Sequence, residues 1–225
     1  MAILLHIDTA TEICSVALSN NDKLISFIDL DEGYSHSEKL LPTIQKLLAA
    51  QNLTLNQIDC FSLAAGPGSY TGLRIGTATV KGLAYGLNKP VVTANSLRTL
   101  YFHPEAQKLS GTVIPLIDAR RMEVYTEFYT PQGEILKPVH SHILQPDDFR
   151  SMPHPIFLIG NGAEKAKDVY RDRPEIKQQP EIRSTARGLI TPAFEAFTNK
   201  KFENTAYFEP FYLKDFIPGK PRKTT

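Results

Sequence analysis

Cysteine is scarce in this chain, and the little there is excludes two large classes of protein. Cys14 and Cys60 are the only two; each sits in an apolar strand-like run and neither has CxxC spacing. A disulfide framework and a zinc cluster are both excluded, and the expectation is two buried free thiols in a reducing cytoplasm. An excess of charge is missing as well. Lysine and arginine number 25 against 24 acidic residues, a formal net charge of +1, so bulk charge gives no reason to expect nucleic acid or an anionic membrane as a direct partner. Only the tail, with Lys220, Arg222 and Lys223, is visibly basic. Long hydrophobic runs are lacking too: the opening MAILLHIDTAT has no basic start, is short and is broken by Asp8, so neither a signal peptide nor a spanning helix is expected. What remains, 225 residues with 42% hydrophobic and 22% charged, describes a soluble globular chain of one large or two small domains.

The stretch with most to say is GPGSYTGLRIG at 66–76, preceded by the apolar run 58–65 and followed by a helix-like segment, 71–87. Known glycine loops do not fit it. A Walker loop needs Lys then Ser or Thr at its end, where Leu73 and Arg74 stand; a dinucleotide fingerprint needs GxGxxG, and Gly66, Gly68 and Gly72 are one residue too widely spaced. A nucleophile elbow would need glycine in place of Pro67. Two readings stay open: a tight strand-to-helix turn that packs the fold, and a docking surface where glycine backbone and helix N–H groups receive something else. In the helix, Gly72, Gly76, Thr79, Leu83 and Gly86 form one stripe and Leu73, Val80, Ala84 and Leu87 a second. Each interior glycine costs about 1 kcal/mol against alanine unless close approach compensates. Two stripes predict two neighbours: the sheet of its own domain, and either an adjacent helix or another protein. Arg74, Lys81 and Tyr85 read as a solvated face.

Along the chain, 2–8, 13–19 and 23–30 read as strands, with Asp8, Thr9 and Thr11 in the first turn. Such a turn either faces nucleotide phosphates, as in an actin-like or sugar-kinase-like fold, or bonds its own backbone. Residues 35–50 form an amphipathic helix through Leu40, Leu41, Ile44, Leu47 and Leu48, with Pro42 placing the regular part from about Leu41 and leaving 35–40 as a loop or separate turn. His36 is a structural or solvated residue or, less simply, a ligand. A strand at 91–94 and a short helix at 96–102 complete an α/β domain ending near 104. Residues 111–129 repeat the opening theme, strand, turn with Asp118, strand, which suggests an internal duplication. A third strand, 135–144, carries His140 and His142 without an acidic or thiol partner nearby in sequence. A strand at 156–159 enters Gly160-Asn161-Gly162 and a brief helix; 171–183 reads as a mobile loop; 184–197 reads as a helix kinked at Pro192. Two subdomains follow, 1–104 and 105–225, with the tail from about 206 packing back on the first and the chain loose after Pro218.

MAILLHIDTATEICSVAL, HSEKLLPTIQKLL, LIDARRMEVYTEFY, IGNGA, FEPFYLK and above all GPGSYTGLRIGTATVKGLA resemble the bacterial TsaB (YeaZ) family over nearly the whole chain. The resemblance implies an α/β, actin-like ATPase fold (ribonuclease H-like) of two similar subdomains, each a mixed sheet with helices. It implies a non-catalytic subunit that binds and activates a TsaD-like catalytic subunit in forming threonylcarbamoyladenosine at tRNA position 37, with a TsaE-like ATPase subunit as a further partner and tRNA met only through the complex. It assigns partner binding to the first two helices, here Leu40, Leu41, Ile44, Leu47 and Leu48 with Gly72, Gly76, Thr79, Leu83 and Gly86. It leaves Asp8, Thr9, Thr11 and Asp118 as vestigial phosphate ligands, with no cofactor beyond weak or shared-interface ATP or ADP binding. TsaD-like subunits carry an HxxxH metal pair where residues 96–103 have only His103, and Lys214 stands where Arg is more usual. An apolar helix face without its partner also predicts a homodimer in isolation. The alternative is an enzyme acting on its own, an actin-like, ATP-binding phosphotransferase or ATPase using Asp8, Thr9, Thr11 and Asp118 around magnesium and phosphate; no hydrolase triad or zinc motif supports a peptidase.

Overall fold

A computed structural model describes residues 1–33, 35–130 and 132–214; the basic tail and the stretch beyond Pro218 lie outside them. The first five strands are β1 (Ile3–Asp8), β2 (Cys14–Asn20), β3 (Lys23–Leu30), β4 (Cys60–Ala64) and β5 (Val91–Ala94), in the order β3-β2-β1-β4-β5. β1, β2 and β3 run antiparallel, while β4 and β5 continue parallel to β1. β1 and β4 are central, covered on both faces, and so read as unbroken apolar runs. Asn21, at φ 55°, supplies the left-handed residue of the tight β2–β3 turn.

Helix α1 (His36–Ala50) and helix α2 (Tyr70–Leu87) cover one face of this sheet. Leu40, Ile44, Leu47 and Leu48 from α1 and Val80 and Ala84 from α2 join Leu5, Ile7, Val16, Leu18, Phe61 and Leu63 in one core. Pro42 does not delay α1, which is regular from His36. Pro42 and Glu38 are both exposed, so the carbonyl that loses its intrahelical donor belongs to the wet side of the helix. Ser69 caps α2, its hydroxyl accepting from the Gly72 N–H at 3.3 Å, and Asn88 ends it in the left-handed conformation.

The second sheet contains β6 (Thr112–Asp118), β7 (Glu123–Tyr129), β8 (Ile135–Ile143), β9 (Ile156–Ile159) and β10 (Ile176–Gln179), ordered β10-β9-β6-β7-β8. Written from its other edge this is β8-β7-β6-β9-β10, the order of the first sheet repeated. β10 falls in the stretch expected to be a mobile loop: its polar sequence, IKQQ, pairs parallel with β9 as an edge strand and buries little beyond Ile176. Between the sheets, α3 (Ser96–Tyr101) is capped by Asn95, whose Oδ1 accepts from the Arg98 N–H at 2.6 Å. After β9 the chain makes a 3-10 turn at Asn161–Lys165 and the four-residue α4 (Ala166–Val169).

From residue 184 the chain returns to the first sheet. A 3-10 turn, Ala186–Leu189, leads into α5 (Ile190–Thr198), which packs over β5 on the face opposite α1 and α2, with Ala193 against Leu4, Cys60 and Val92. Pro192 produces no kink because α5 starts only two residues earlier, where no intrahelical donor is required. Residues 203–214 then form a strap. Glu203 N–H bonds Val91 O at 2.8 Å, Phe208 enters the first core, Phe211 N–H bonds Ala65 O at 2.7 Å, and Lys214 pairs with Glu123 of the second sheet.

Candidate functional site

The glycine loop turns out to be filled by the chain itself. A Cβ on Gly66, which has φ +115°, would collide with the Phe211 carbonyl of the strap; one on Gly68 would strike the Ala10 carbonyl, and one on Gly72 the Thr9 carbonyl. Gly76 meets the Thr9 hydroxyl group. The glycines therefore let this loop lean on the β1–β2 turn and on the strap, which is the packing alternative of the two that the spacing left open.

The β1–β2 turn is itself closed by polar partners. Asp8 is wholly buried; its carboxylate accepts from Ala10 N–H at 2.9 Å and from Ser184 Oγ at 2.5 Å. Burial pushes its pKa up to about 6 against the opposing pull of those two bonds, with Asp29 and Glu12 adding to the rise. Thr9 Oγ1 donates to Gly72 O at 2.8 Å, while Thr11 Oγ1 is buried without a partner among the described residues. Asp118 occupies the matching turn of the second sheet, where it accepts from Arg120 N–H at 2.5 Å and pairs with Lys165 at 2.5 Å.

Residues far apart in sequence join the two turns. Asn161 accepts from Asp118 N–H at 3.0 Å and donates to Glu12 at 2.9 Å; Arg183 reaches Glu12 at 3.3 Å and also pairs with Asp31. Arg187 reaches Asp29 at 3.0 Å, and Ser15 Oγ both donates to Asp29 at 2.5 Å and accepts from Ala186 N–H at 2.8 Å. The expected phosphate ligands Asp8, Thr9 and Thr11 are thus together, with Asp118 linked through Asn161 and Glu12. The carboxylates of Asp8, Glu12 and Asp118 are engaged by the chain's own hydroxyl, amide, guanidinium and ammonium groups. Sequence reasoning marked the Gly160-Asn161-Gly162 turn but gave Asn161 no role, and it missed Glu12, Arg183 and Ser184, which nothing local marks.

Other candidates are interior. His36 is buried and its Nε2 meets Thr11 O at 2.9 Å, fixing α1 to the first turn. His6 lies between Ser62 Oγ at 2.6 Å and Ser19 Oγ at 2.8 Å; Ser19 donates onward to Asn21 O, so Nε2 carries the ring hydrogen and Nδ1 accepts from Ser62. Burial holds the His6 pKa down to about 3 and leaves Ser62 no route to a substrate. His103 is buried too, and desolvation, aided by Arg187, lowers it to about 4. Cys14 and Cys60 are buried free thiols, pushed up to about 11 and about 12 by desolvation. His142 does have an acidic partner, Asp148 at 2.8 Å, which the strand pattern concealed. Among the described residues no group of three or more His, Cys, Asp or Glu is placed to hold a metal ion, and no helix is long and apolar enough to cross a membrane.

The residues assigned to partner binding divide. Leu40, Ile44, Leu47 and Leu48 are in the chain's own core, and Gly72 and Gly76 face Thr9, so these six are interior rather than surface positions. The physical reason is that both helices need these residues to cover their own sheet. Thr79 and Leu83 are half-buried, Gly86 is exposed, and Leu41 is 49% exposed. Two residues beyond Val80, and so on the opposite side of α2, lies Gly82, which the stripe left out. A Cβ on Gly82 or Gly86 would meet nothing within 4 Å.

Comparison with known proteins accords with this geometry. The family model described as "TsaD: tRNA N6-adenosine threonylcarbamoyltransferase" matches residues 33–216. The Escherichia coli (strain K12) protein named tRNA threonylcarbamoyladenosine biosynthesis protein TsaB is 28% identical over 96% of this chain and 96% of its own. Among solved structures, YeaZ from Pseudomonas aeruginosa superposes with a TM-score of 0.79 at 27% identity, covering 95% of this chain and all (100%) of its own. The (R)-2-hydroxyglutaryl-CoA dehydratase component A of Acidaminococcus fermentans superposes at 0.54 with 8% identity over 89% of this chain and 100% of its own, a likeness of fold alone. The doubled sheet order is therefore that of an actin-like ATPase fold. A family match over most of the chain, together with likeness to TsaB and YeaZ from end to end, makes this chain a member of the TsaB (YeaZ) branch of the TsaD family.

Proposed function

We propose that this chain acts in the biosynthesis of threonylcarbamoyladenosine in tRNA as a non-catalytic subunit that binds and activates a TsaD-like transferase. The observation that carries the docking role is the pair Gly82 and Gly86, one turn apart on the outer side of α2 with open space where each Cβ would be. Each costs the isolated helix about 1 kcal/mol relative to alanine. Gly72 and Gly76 are compensated within the chain by contact with Thr9; Gly82 and Gly86 are not. A partner backbone approaching this face compensates them, and Ala78, Thr79 and Leu83 on the same helix supply apolar area, with Leu41 of α1 a further exposed apolar residue.

The non-catalytic part rests on the polar turns. Asp8 is buried against Ser184, and the Glu12 carboxylate is taken by Asn161 and Arg183, so a phosphate or a magnesium ion arriving there would first have to displace the chain's own groups. A TsaE-like ATPase subunit completes the assembly, tRNA meets the complex through the catalytic subunit, and the α2 face pairs two copies of this chain when the partner is absent.

Size-exclusion chromatography with light scattering, on this chain alone and mixed with TsaD of the same organism, tests the reading, with threonylcarbamoyl transfer to tRNA assayed on each peak. The expected result is a mixed complex whose activity needs both chains, lost in Gly82→Arg without a fall in melting temperature. Transfer by this chain alone, or a persistent failure to co-elute with TsaD, would overturn it.

A further inference from the structure

We infer that the groove between α2 and the strap is a second contact for the partner that the outer face of α2 receives, and that it takes an acidic side chain of that partner. The inference rests on the docking role proposed for α2. The groove has a volume of about 350 Å³ and is lined by Arg74, Thr77 and Lys81 from α2 and by Phe208, Pro210 and Tyr212 from the strap, among others. Ala78 also lines it and is exposed one turn before Gly82, so groove and helix face are one continuous surface.

Three observations point to an occupant and to its chemistry. Thr77 is 6% exposed, and its hydroxyl has no hydrogen-bond partner among the described residues. A buried hydroxyl left unpaired is costly, and here it belongs to a wall of the groove. The α2 sequence holds two cations, Arg74 and Lys81, and no Asp or Glu, and both cations border the groove. Arg74 lies 4.2 Å above the Tyr70 ring and donates through Nε to Tyr212 Oη at 3.2 Å, while Lys81 gives bonds to Ala206 O at 3.0 Å and Phe208 O at 3.1 Å. These hydroxyl, ring and carbonyl partners fix both heads in place yet neutralise neither charge; Glu209, the one acidic residue in the lining, acts on Arg74 from a distance, which leaves two cations against one carboxylate. Finally, Tyr85 is 85% and Tyr207 is 82% exposed, and both are set around Lys81: Tyr85 one turn beyond it and Tyr207 beside the Ala206 carbonyl that it holds. Exposed tyrosines beside cations that the chain holds in place form a contact surface suited to a carboxylate on a protein segment, since a purely aliphatic occupant would bury the two charges unpaired.

The test is calorimetric titration of TsaD with the full-length chain at about 50 and about 300 mM salt. Arg74→Glu is expected to weaken binding about tenfold or more at the lower salt, with the loss shrinking at the higher one, while Arg74→Lys stays within about threefold of the unaltered chain. Thermal melts check that each variant remains folded; Arg74 is at the surface and its replacement removes no core contact. If Arg74→Glu binds within about twofold of the unaltered chain at both salts while Gly82→Arg does not bind, the groove inference is overturned and the docking face stands. If Gly82→Arg binds as the unaltered chain does, the docking face fails and takes the inference with it. If Arg74→Glu weakens only the self-association of this chain, the occupant is a second copy and the inference is again overturned.

Discussion

The two sheets have one strand order and very different clothing. In the first, the connection from β3 to β4 carries the fifteen-residue α1 and that from β4 to β5 the eighteen-residue α2. In the second, no helix stands between β8 and β9, and the path from β9 to β10 holds only a 3-10 turn and the four residues of α4. The turns themselves match. Asp8 and Asp118 each accept from the amide two residues on, and each glycine loop leans on the first strand's end of its own half, Gly68 and Gly72 on Ala10 and Thr9, Gly160 and Gly162 on Leu116. What the duplication kept is the backbone contact that holds a strand-turn-helix unit closed. What it varied is the helical cover, and the half that kept long helices is the half with an open, glycine-bearing outer face. The likeness of the halves thus marks what packing requires, and their difference marks the face that the proposed docking role uses.

The sharpest way to break this comparison is to put a methyl group into each loop. Gly72 and Gly162 both have ordinary negative φ, so alanine differs only in needing space. At Gly72 the methyl would be driven into the Thr9 carbonyl oxygen; at Gly162 it would meet the Leu116 backbone carbon at 2.9 Å, a shallower overlap that still needs the backbone to move. Gly72→Ala is expected to cost more than about 3 kcal/mol in denaturant unfolding and Gly162→Ala about 1 to 2 kcal/mol. Equal costs would mean that the two loops are not held in the same way.

The next largest effect separates the two aspartates. The unfolded chain releases the Asp8 proton near the ordinary value of 3.8, the folded chain near 6. The folded state therefore holds the proton more tightly, and the wild-type chain loses stability as pH rises from about 4 to about 6, with the full penalty present above that range. Asp8→Asn keeps an acceptor for Ala10 N–H and a donor toward Ser184, and removes the buried charge. Its stability relative to wild type should climb by about 2 to 3 kcal/mol between pH 4 and pH 7, most of the free energy equivalent of that change in pKa. Asp118→Asn, at a surface pair with Lys165, should change stability by less than about 1 kcal/mol. A flat pH profile for Asp8→Asn would show that the Asp8 carboxyl is not desolvated in solution.

The strands, α2 and the repeat were legible in the sequence because continuous apolar runs and helical spacing report local burial directly. The edge strand β10 was not: a strand that buries one side chain, Ile176, has no pattern to show, and the charges and prolines around it read as a loop. Pro42 misled for a related reason, since whether a helix tolerates proline depends on whether the orphaned carbonyl faces water. The site was legible only in part. The turns that hold Asp8 and Asp118 could be found from their place between strands, but Asn161, Arg183 and Ser184, which close them, come from elsewhere in the chain. Glycine spacing in α2 announced close approach without saying to what; the phase of each glycine relative to Val80 carried that information. Gly72 and Gly76 lie toward the sheet side and Gly82 away from it.

That phase leads to the smallest effect and the one that bears most on the difference between the halves. Gly82→Ala adds a methyl group to an exposed helix position with nothing within 4 Å. Alanine restricts the unfolded chain and favours the helix, so the isolated protein should gain up to about 1 kcal/mol, read as a higher midpoint in urea with an unchanged slope. In the proposed complex with TsaD the same methyl would stand where a partner backbone approaches, and affinity should fall. A packing role would give a stability loss instead, and a merely solvated glycine would give the stability gain with no loss of affinity. Opposite signs in the two measurements, from one methyl group, are what a helix face shaped for contact outside its own chain requires.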